Sequence, residues 1–146
     1  MPGLPALSLP HVGPYVEIGR AFERLFGCTS SQNLMPPAVR MVGVYRDDPT
    51  LVPEAELRSR ATLLTEALHS AEPPLEPIML RGGDYAVLRH KGPYADMRAA
   101  YLWLFGTWLP QSRREVASTP VLEEYLNNPR DTPPTELLTD LYLPLE

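Results

Sequence analysis

Two adjacent glutamates, Glu123 and Glu124, have the clearest chemical potential in this sequence, because they interrupt an otherwise apolar stretch that ends at Tyr125. Side chains alternate between the two faces of an extended strand, so Glu123 shares a face with Tyr125 and one of the two carboxylates must point inward. A carboxylate in an apolar cavity either binds a cation or has its pKa raised by desolvation, so that it can donate a proton. The pair therefore indicates a ligand-binding or acid-base site.

Aromatic residues supply walls for such a site, because ring faces bind flat or cationic ligands by stacking and cation-π attraction. We expect the ligand-binding residues to be Glu123, Tyr125, Trp108, Tyr94, Tyr101, Tyr15, Phe22 and Tyr45. For Phe26, Leu104 and Phe105 we expect a core role, and for Trp103, on the opposite helix face, exposure or a subunit contact. The structural alternative for Glu123 is an ion pair with an arginine such as Arg40 or Arg98.

Other familiar chemistry is missing from the sequence. It contains no Gly-x-Ser-x-Gly, no His-Glu-x-x-His, no phosphate-binding glycine-rich loop and no closely spaced cysteines. His11 and His90 each precede a Gly-Pro pair, and no third ligand repeats with them, so we expect them to bond nearby backbone. Cys28 has no His or Lys neighbour that would lower the pKa of its thiol. We expect no metal and no cofactor.

An internal repeat organises the chain. The segment from His11 to Tyr15 recurs from His90 to Tyr94, and Leu-Phe-Gly at 25–27 recurs at 104–106, both 79 residues later. The Tyr-x-x-x-Pro segment at 45–49 and Glu-Leu at 56–57 recur 80 residues later. Gly43 matches Glu123, so the acid belongs to one half only. We expect one domain over 1–146, with repeats at about 5–70 and 78–146.

Each copy predicts a strand, a helix and two further strands. Strands are expected at 6–10, 39–45 and 57–67, at 85–89, 121–125 and 137–143, and at 78–80 in the link. The segment 57–68 could also form a helix face, but the repeat alignment favours a strand. In the Gly-Pro corners, Gly permits a positive φ and Pro suits the first helical turn. The fold class is therefore α+β.

Composition narrows the function classes. There are 18 acidic and 13 basic residues, a net charge of -5, which disfavours direct nucleic-acid binding. The single cysteine and the lack of a signal segment indicate a cytoplasmic protein. No apolar stretch approaches the roughly 20 residues that cross a bilayer.

Four segments together resemble the successive motifs of the gyrase-inhibitor-like (GyrI-like) effector-binding family. They are Tyr-Ala-Val-Leu-Arg-His-Lys-Gly-Pro-Tyr at 85–94, Trp-Leu-Pro-Gln-Ser at 108–112, Leu-Glu-Glu-Tyr-Leu-Asn-Asn-Pro at 122–129 and the stretch 135–145. The resemblance covers nearly the whole chain. It implies duplicated strand-helix-strand-strand units, a curved antiparallel sheet, two main helices and a central ligand cleft. The first helix departs from the pattern at 24–32, so the shape of that cleft wall stays open.

The resemblance also implies functions. Such domains occur as effector-binding halves of AraC-type and MerR-type regulators that sense lipophilic cations. Because Met1 lies just before the first strand, we expect a freestanding member. The family's cleft glutamate, in a Glu-x-Tyr context, maps onto Glu123 with Tyr125.

Three hypotheses follow from these observations. The first is a binder of hydrophobic, cationic or planar small molecules that serves in xenobiotic sequestration or sensing, with Glu123 as the polar anchor. The second, which the family resemblance implies, is a hydrolase that opens cyclopropane-type electrophiles with Glu123 as the catalytic residue. The third is a protein that interacts with DNA gyrase or with a regulator. Self-association into a homodimer through Trp103 stays open.

Overall fold

The structure is a computed structural model, and it describes residues 2–67, 70–129 and 131–146. The strands are β1 (Leu4–Val12), β2 (Met41–Tyr45), β3 (Arg58–Leu64), β4 (Glu76–Leu80), β5 (Tyr85–Lys91), β6 (Val121–Tyr125) and β7 (Leu138–Pro144). The helices are α1 (Ile18–Ser31), α2 (Met97–Trp103) and α3 (Leu109–Ser112), and a π-helical turn, Leu104–Trp108, joins α2 to α3. The chain is therefore α+β with two main helices, as the sequence predicts.

Seven antiparallel strands form one sheet in the order β4-β1-β3-β2-β6-β7-β5. Each predicted strand is present, with ends displaced by at most three residues. The segment β1-α1-β2-β3 and the segment β5-α2-α3-β6-β7 are the two copies of the repeat, and they meet where β2 pairs with β6. In the segment 57–68, for which a helix was the alternative, residues Arg58–Leu64 form strand β3. Leu68 and His69 lie outside the described residues.

The sheet is strongly curved. Its edge strands, β4 and β5, are joined by only four residues, 81–84. Seven flat strands would place those edges about 29 Å apart, whereas so short a link spans at most about 17 Å. Side chains from both edges, including Leu80 and Tyr85, pack with Val44 and Leu122 in one cluster on the same face. That face is therefore the concave one.

Both helices pack on the convex face, one against each half of the sheet. Leu25 of α1, which is fully buried, packs with Leu63 of β3, and Leu104 packs with Leu141 of β7. The prediction of a core role is wrong for Phe105, which is 43% exposed, because it lies in the π-helical turn, where the chain departs from the α-helical spacing that placed it on the buried stripe. The middle of the convex face, over β2 and β6, lies between these two helix-covered clusters.

The strand-to-helix corners are built as the repeat predicts. Gly13 has φ of 129° and Gly92 has φ of 135°, values that favour glycine. The imidazole Nε2 of His11 donates to the carbonyl oxygen of Pro14 and that of His90 to Pro93, each at 3.1 Å. The expectation that these histidines bond nearby backbone is confirmed.

Candidate functional site

The centre of the sheet brings equivalent positions of the two copies face to face. In the β2–β6 ladder Gly43 lies directly opposite Glu123, and these two residues match one another in the repeat. An approximate twofold axis relating the halves therefore passes between them. The matched tyrosines, Tyr45 and Tyr125, lie on either side of this axis, and their hydroxyls are hydrogen-bonded to each other across it.

Glu123 is buried at this axis, with only 7% of its surface exposed. The hydroxyl of Tyr125 donates to Glu123 Oε1 at 2.9 Å, and the hydroxyl of Tyr101, from α2, donates to Oε2. Burial raises the pKa of the Glu123 carboxyl, and these hydrogen bonds together with the nearby His90 oppose the rise. Among the described residues, no ion pair to a lysine or arginine neutralises this carboxylate. The site therefore holds an acid that a ligand or a proton can neutralise.

Gly43 makes room for this arrangement. A Cβ atom at residue 43 would lie 2.7 Å from the Tyr45 hydroxyl oxygen and 2.8 to 2.9 Å from its ring carbons. The Tyr45 ring therefore folds back over Gly43 and fills the space that the Glu123 side chain occupies on the other half. The difference between the two copies at this position allows one carboxylate and two tyrosines to share the axis.

The remaining rings surround the same point. Tyr15 lies edge-on to Tyr45 at 4.8 Å between ring centroids, Phe22 edge-on to Tyr125 at 5.8 Å, and Tyr94 to Tyr125 at 5.5 Å. Trp108 packs with Tyr94 and Tyr101 against the α2 side of the core. Hydrogen bonds and ring contacts thus link seven of the eight residues singled out from the sequence, and Trp108 lies beside them in the cluster of Met97, Leu104 and Leu141. The carboxylate is buried beneath these rings, so a ligand must displace at least one of them to reach it.

Burial raises the pKa values of the surrounding hydroxyls as well. Tyr125 and Tyr45 have pKa values well above the usual value, mainly because they are desolvated and secondly because charged or ionisable neighbours disfavour a phenolate. The pKa of Tyr101 is raised by burial and by the adjacent Glu123 carboxylate. These tyrosines are therefore neutral hydrogen-bond donors near neutral pH, and Glu123 is the group among them that can carry a negative charge.

Glu124 lies on the concave face. The residue is only 6% exposed, and both of its carboxylate oxygens accept hydrogen bonds. Arg40 donates from Nε to Oε2 at 2.8 Å and from a terminal nitrogen to Oε1 at 3.0 Å, and Tyr142 donates to Oε1 at 3.1 Å. Both adjacent acids are therefore buried, one on each face. The structural alternative, an ion pair between Arg40 and Glu123, is wrong because strand alternation gives Arg40 to the neighbouring acid.

Sequence reasoning missed two parts of this arrangement. Gly43 was recognised as the match of Glu123, but its role in accommodating Tyr45 depends on a ring conformation that no local pattern encodes. The pairing of Arg40 and Tyr142 with Glu124 depends on strand order, since these residues are far apart in sequence. Internal symmetry was the one available signal, because residues at a pseudo-twofold axis must face their own counterparts.

Within 2–67, 70–129 and 131–146, no group of three or more His, Cys, Asp or Glu side chains is placed to hold a metal ion. The same residues include no helix long and apolar enough to span a membrane.

Comparisons with known proteins agree with this architecture. The model of the GyrI-like small molecule binding domain matches residues 1–146. The DNA gyrase inhibitor of Enterobacter lignolyticus is 30% identical over 121 residues, covering 80% of this chain and 76% of that protein. The probable transcriptional regulator YgiV of Escherichia coli is 28% identical over 146 residues, covering 99% and 91%.

Solved structures share the fold at low sequence identity. The EcmrR C-terminal domain superposes with a TM-score of 0.77 at 16% identity, covering 100% of this chain and 93% of that one. The EcmrR chain of the EcmrR–DNA complex superposes with a TM-score of 0.80 at 16% identity, covering 100% of this chain and 55% of that one. SAV2435 bound to tetraphenylphosphonium gives a TM-score of 0.59 at 13% identity, covering 100% and 90%. With a family model matched along its whole length and a 30% identical relative, this chain belongs to the GyrI-like small molecule binding domain family.

Proposed function

We propose that this protein binds lipophilic organic cations, with Glu123 as the anionic anchor and the surrounding rings as the walls of the site, and that it serves in sequestering or sensing such compounds. The observation that carries this proposal is a single buried carboxylate, held by two tyrosine hydroxyls and left without a cationic partner among the described residues. A protein carboxylate buried without a counter-ion is costly, which is the condition that a bound cation relieves.

Charge selectivity follows from the same contacts. Tyr101 and Tyr125 donate hydrogen bonds to the carboxylate and so hold its two oxygens at the axis. Three further rings, those of Tyr15, Phe22 and Tyr94, present edges or faces toward the same point. Rings attract cations through their negative faces, and they exclude water from the charge pair, which strengthens its attraction. An uncharged ligand of the same shape gains only the apolar part of this interaction.

The site admits a bulky ligand by moving tyrosines. Tyr101 belongs to the helix and Tyr125 to the sheet, so displacement of the Tyr101 ring opens the convex side without breaking a strand ladder. The π-helical turn that follows α2 interrupts the regular helical hydrogen bonding directly after Trp103. Such turns are frequent at functional sites and make a helix easier to adjust there.

Calorimetric titration with tetraphenylphosphonium tests the proposal, because SAV2435, which shares the fold, is bound to that cation. The wild type should bind the cation more tightly than the neutral triphenylphosphine oxide. Glu123→Gln keeps the side-chain shape and should weaken cation binding by about 30-fold, corresponding to roughly 2 kcal/mol of charge attraction at about 6 Å in a partly screened site. Glu123→Gln should leave binding of the neutral compound nearly unchanged.

Exposed Glu54 provides a matched control on the surface, where Glu54→Gln makes the same change of charge. It should alter the affinity for the cation by less than twofold. Equal affinities of wild type and Glu123→Gln for tetraphenylphosphonium would contradict the role of Glu123 as the anionic anchor. Equal binding of the cation and the neutral oxide by wild type would remove the charge selectivity.

A hydrolase is the second candidate function, and the raised pKa of the Glu123 carboxyl favours it because a protonated acid can donate to a leaving group. A Listeria innocua hydrolase shares the fold, with a TM-score of 0.75 at 13% identity over 99% of this chain and 88% of that one. Incubation with a cyclopropane-bearing alkylating agent, followed by mass spectrometry, should then show ring-opened product with wild type and little with Glu123→Gln. Product formation at the buffer rate excludes the activity for that substrate.

A further inference from the structure

The concave face of the sheet holds a cavity that the Glu123 site does not use. Its volume is about 280 Å³, near the lower end of the range for small-molecule pockets. It lies beside the 81–84 turn, where the two edges of the sheet approach each other. Its walls are made by Val44, Arg46, Arg60, Ile78, Met79, Leu80, Arg81, Tyr85, Thr119, Pro120 and Leu122.

Three of these lining residues are arginines, although the net charge of the chain is -5. Arg60 is partly neutralised, because its terminal nitrogen donates to Glu76 Oε2 at 3.1 Å and to the Ser8 hydroxyl at 3.2 Å. Arg46 forms no side-chain ion pair with any described residue. Glu76 is therefore the one acidic partner of three guanidinium groups around the cavity in the described part of the chain, and the local charge is positive.

Arg81 is the arginine that the fold positions most firmly. One terminal nitrogen donates to the backbone carbonyl of Leu145 at 3.1 Å, and the guanidinium lies 5.7 Å from the centre of the Tyr85 ring. Gly83, with φ of 105°, passes close behind it, since a Cβ there would lie 3.3 Å from the guanidinium. Its other terminal nitrogen is buried and has no hydrogen-bond partner in the described part of the chain.

A second unpaired polar atom belongs to another residue that lines the same cavity. The hydroxyl oxygen of Thr119 is buried and likewise lacks a partner among the described residues. Buried polar groups are normally hydrogen-bonded, and the few that are not call for an explanation such as a ligand. The Thr119 hydroxyl and the Arg81 guanidinium can both donate to an anionic oxygen. Because both unpaired atoms are buried, the cavity wall must shift slightly to bring such an oxygen within hydrogen-bonding distance of them.

Apolar side chains provide the floor between these donors. Val44 and Leu122 are buried and pair across the central ladder, and Leu80 closes the side next to β4. Arginine matches carboxylate, sulfonate and phosphate groups through paired N–H donors. The cavity thus combines an anion-binding rim with a surface for a flat apolar body.

We propose that this cavity is a second ligand site, which binds a small aromatic anion whose acidic group is held by Arg46, Arg81 and Thr119 and whose ring lies on Val44 and Leu122. A volume of about 280 Å³ corresponds to roughly nine water molecules at about 30 Å³ each, enough for a two-ring compound with one acidic group. The site lies on the opposite face of the sheet from Glu123 and selects the opposite charge, so it stands independently of the function proposed above.

A charge series on one ring system tests the inference. Binding of 2-naphthoate, 2-naphthalenemethanol and 2-naphthylmethylammonium to the full chain is measured by NMR, following the amide signals of Ile78, Thr119 and Leu122. The anion should bind at least about tenfold more tightly than the alcohol, and the ammonium compound should not perturb these signals. Inorganic phosphate should compete weakly, because it supplies the charge without the ring.

Two variants locate the anion. Arg46→Gln and Arg81→Gln should each weaken naphthoate binding by about tenfold, whereas Arg20→Gln, on the exposed surface of α1, makes the same charge change and should leave it within twofold. Glu123→Gln should not weaken naphthoate binding. Arg46 is exposed, so its variant will fold even if Arg81→Gln does not. Equal affinity for the anion and the alcohol, or naphthoate binding unchanged in Arg46→Gln, overturns the proposal.

Discussion

Replacing Glu123 with Gln should stabilise the folded protein at neutral pH and leave its stability nearly unchanged at low pH. Burial raises the pKa of this carboxyl above its value in the unfolded chain, so the folded state holds the proton more tightly. At a pH below the ordinary carboxyl pKa, Glu123 is protonated in both the folded and the unfolded chain, so its burial does not lower the stability of the wild type through ionisation. As pH rises from that range through the raised pKa, the unfolded state gains by ionising first and wild-type stability falls. Glutamine does not ionise and escapes this loss.

The size of the effect follows from the contacts of the carboxylate. A buried polar group that lacks part of its hydrogen bonding costs on the order of 1–3 kcal/mol, and more when the group is charged. Two tyrosine hydrogen bonds offset part of the desolvation at Glu123, and no ion pair in the described residues offsets the rest. We therefore expect Glu123→Gln to gain on the order of 1–2 kcal/mol at neutral pH, or a rise in Tm of about 4 °C per kcal/mol.

Urea denaturation at about pH 3.5 and about pH 7.5 measures the effect, because the difference between the two pH values isolates ionisation from changes in packing. Glu54→Gln, at an exposed position, is the control and should show no such difference. A Glu123→Gln variant that is less stable than wild type at neutral pH would refute the reasoning. So would a stability change of equal size at both pH values, since packing alone would then explain it.

The geometry makes two further predictions. Gly43→Ala should lower the free energy of unfolding by about 2 kcal/mol or more, because the new Cβ forces the Tyr45 ring out of place. Gly27→Ala, whose Cβ would have open space around it, should instead stabilise α1 by up to about 1 kcal/mol. Thermal unfolding of the two variants measures the difference. Arg40→Met should cost about 2 kcal/mol by leaving the buried Glu124 carboxylate with only its hydrogen bond from Tyr142, and adding Glu124→Gln should restore more than half of that loss in urea unfolding.

The strands and the corners could be predicted because their signals are local. Alternating apolar residues, the Gly-Pro corners and the two copies at an offset of 79 to 80 residues fixed the element order. The repeat also decided the ambiguous strand β3, where periodicity alone allowed a helix. The core role expected for Phe105 failed, since α-helical periodicity does not anticipate the π-helical turn in which this residue lies.

The candidate site could be predicted only as a set of residue types. The sequence predicts Glu123 and seven aromatic residues, and the structure links Glu123 with six of those rings, while Trp108 lies in the neighbouring α2 cluster. Their mutual contacts depend on the axis between the copies. The partner of Arg40 could not be assigned because adjacent residues, Glu123 and Glu124, point to opposite faces, and only the strand order shows which face Arg40 shares.

The sequence by itself determined the duplication, the element order and the one-sided acid at Glu123, because these depend on periodicity and on residues compared at a fixed offset. Only the tertiary structure decided that Gly43 faces Glu123, that the Tyr45 ring folds back over Gly43, and that Arg46 and Arg81 line one cavity on the concave face. These contacts join segments far apart in the chain through the pairing of β2 with β6 and the curvature of the sheet. Such long-range geometry depends on the packing of the whole chain, which no local pattern specifies.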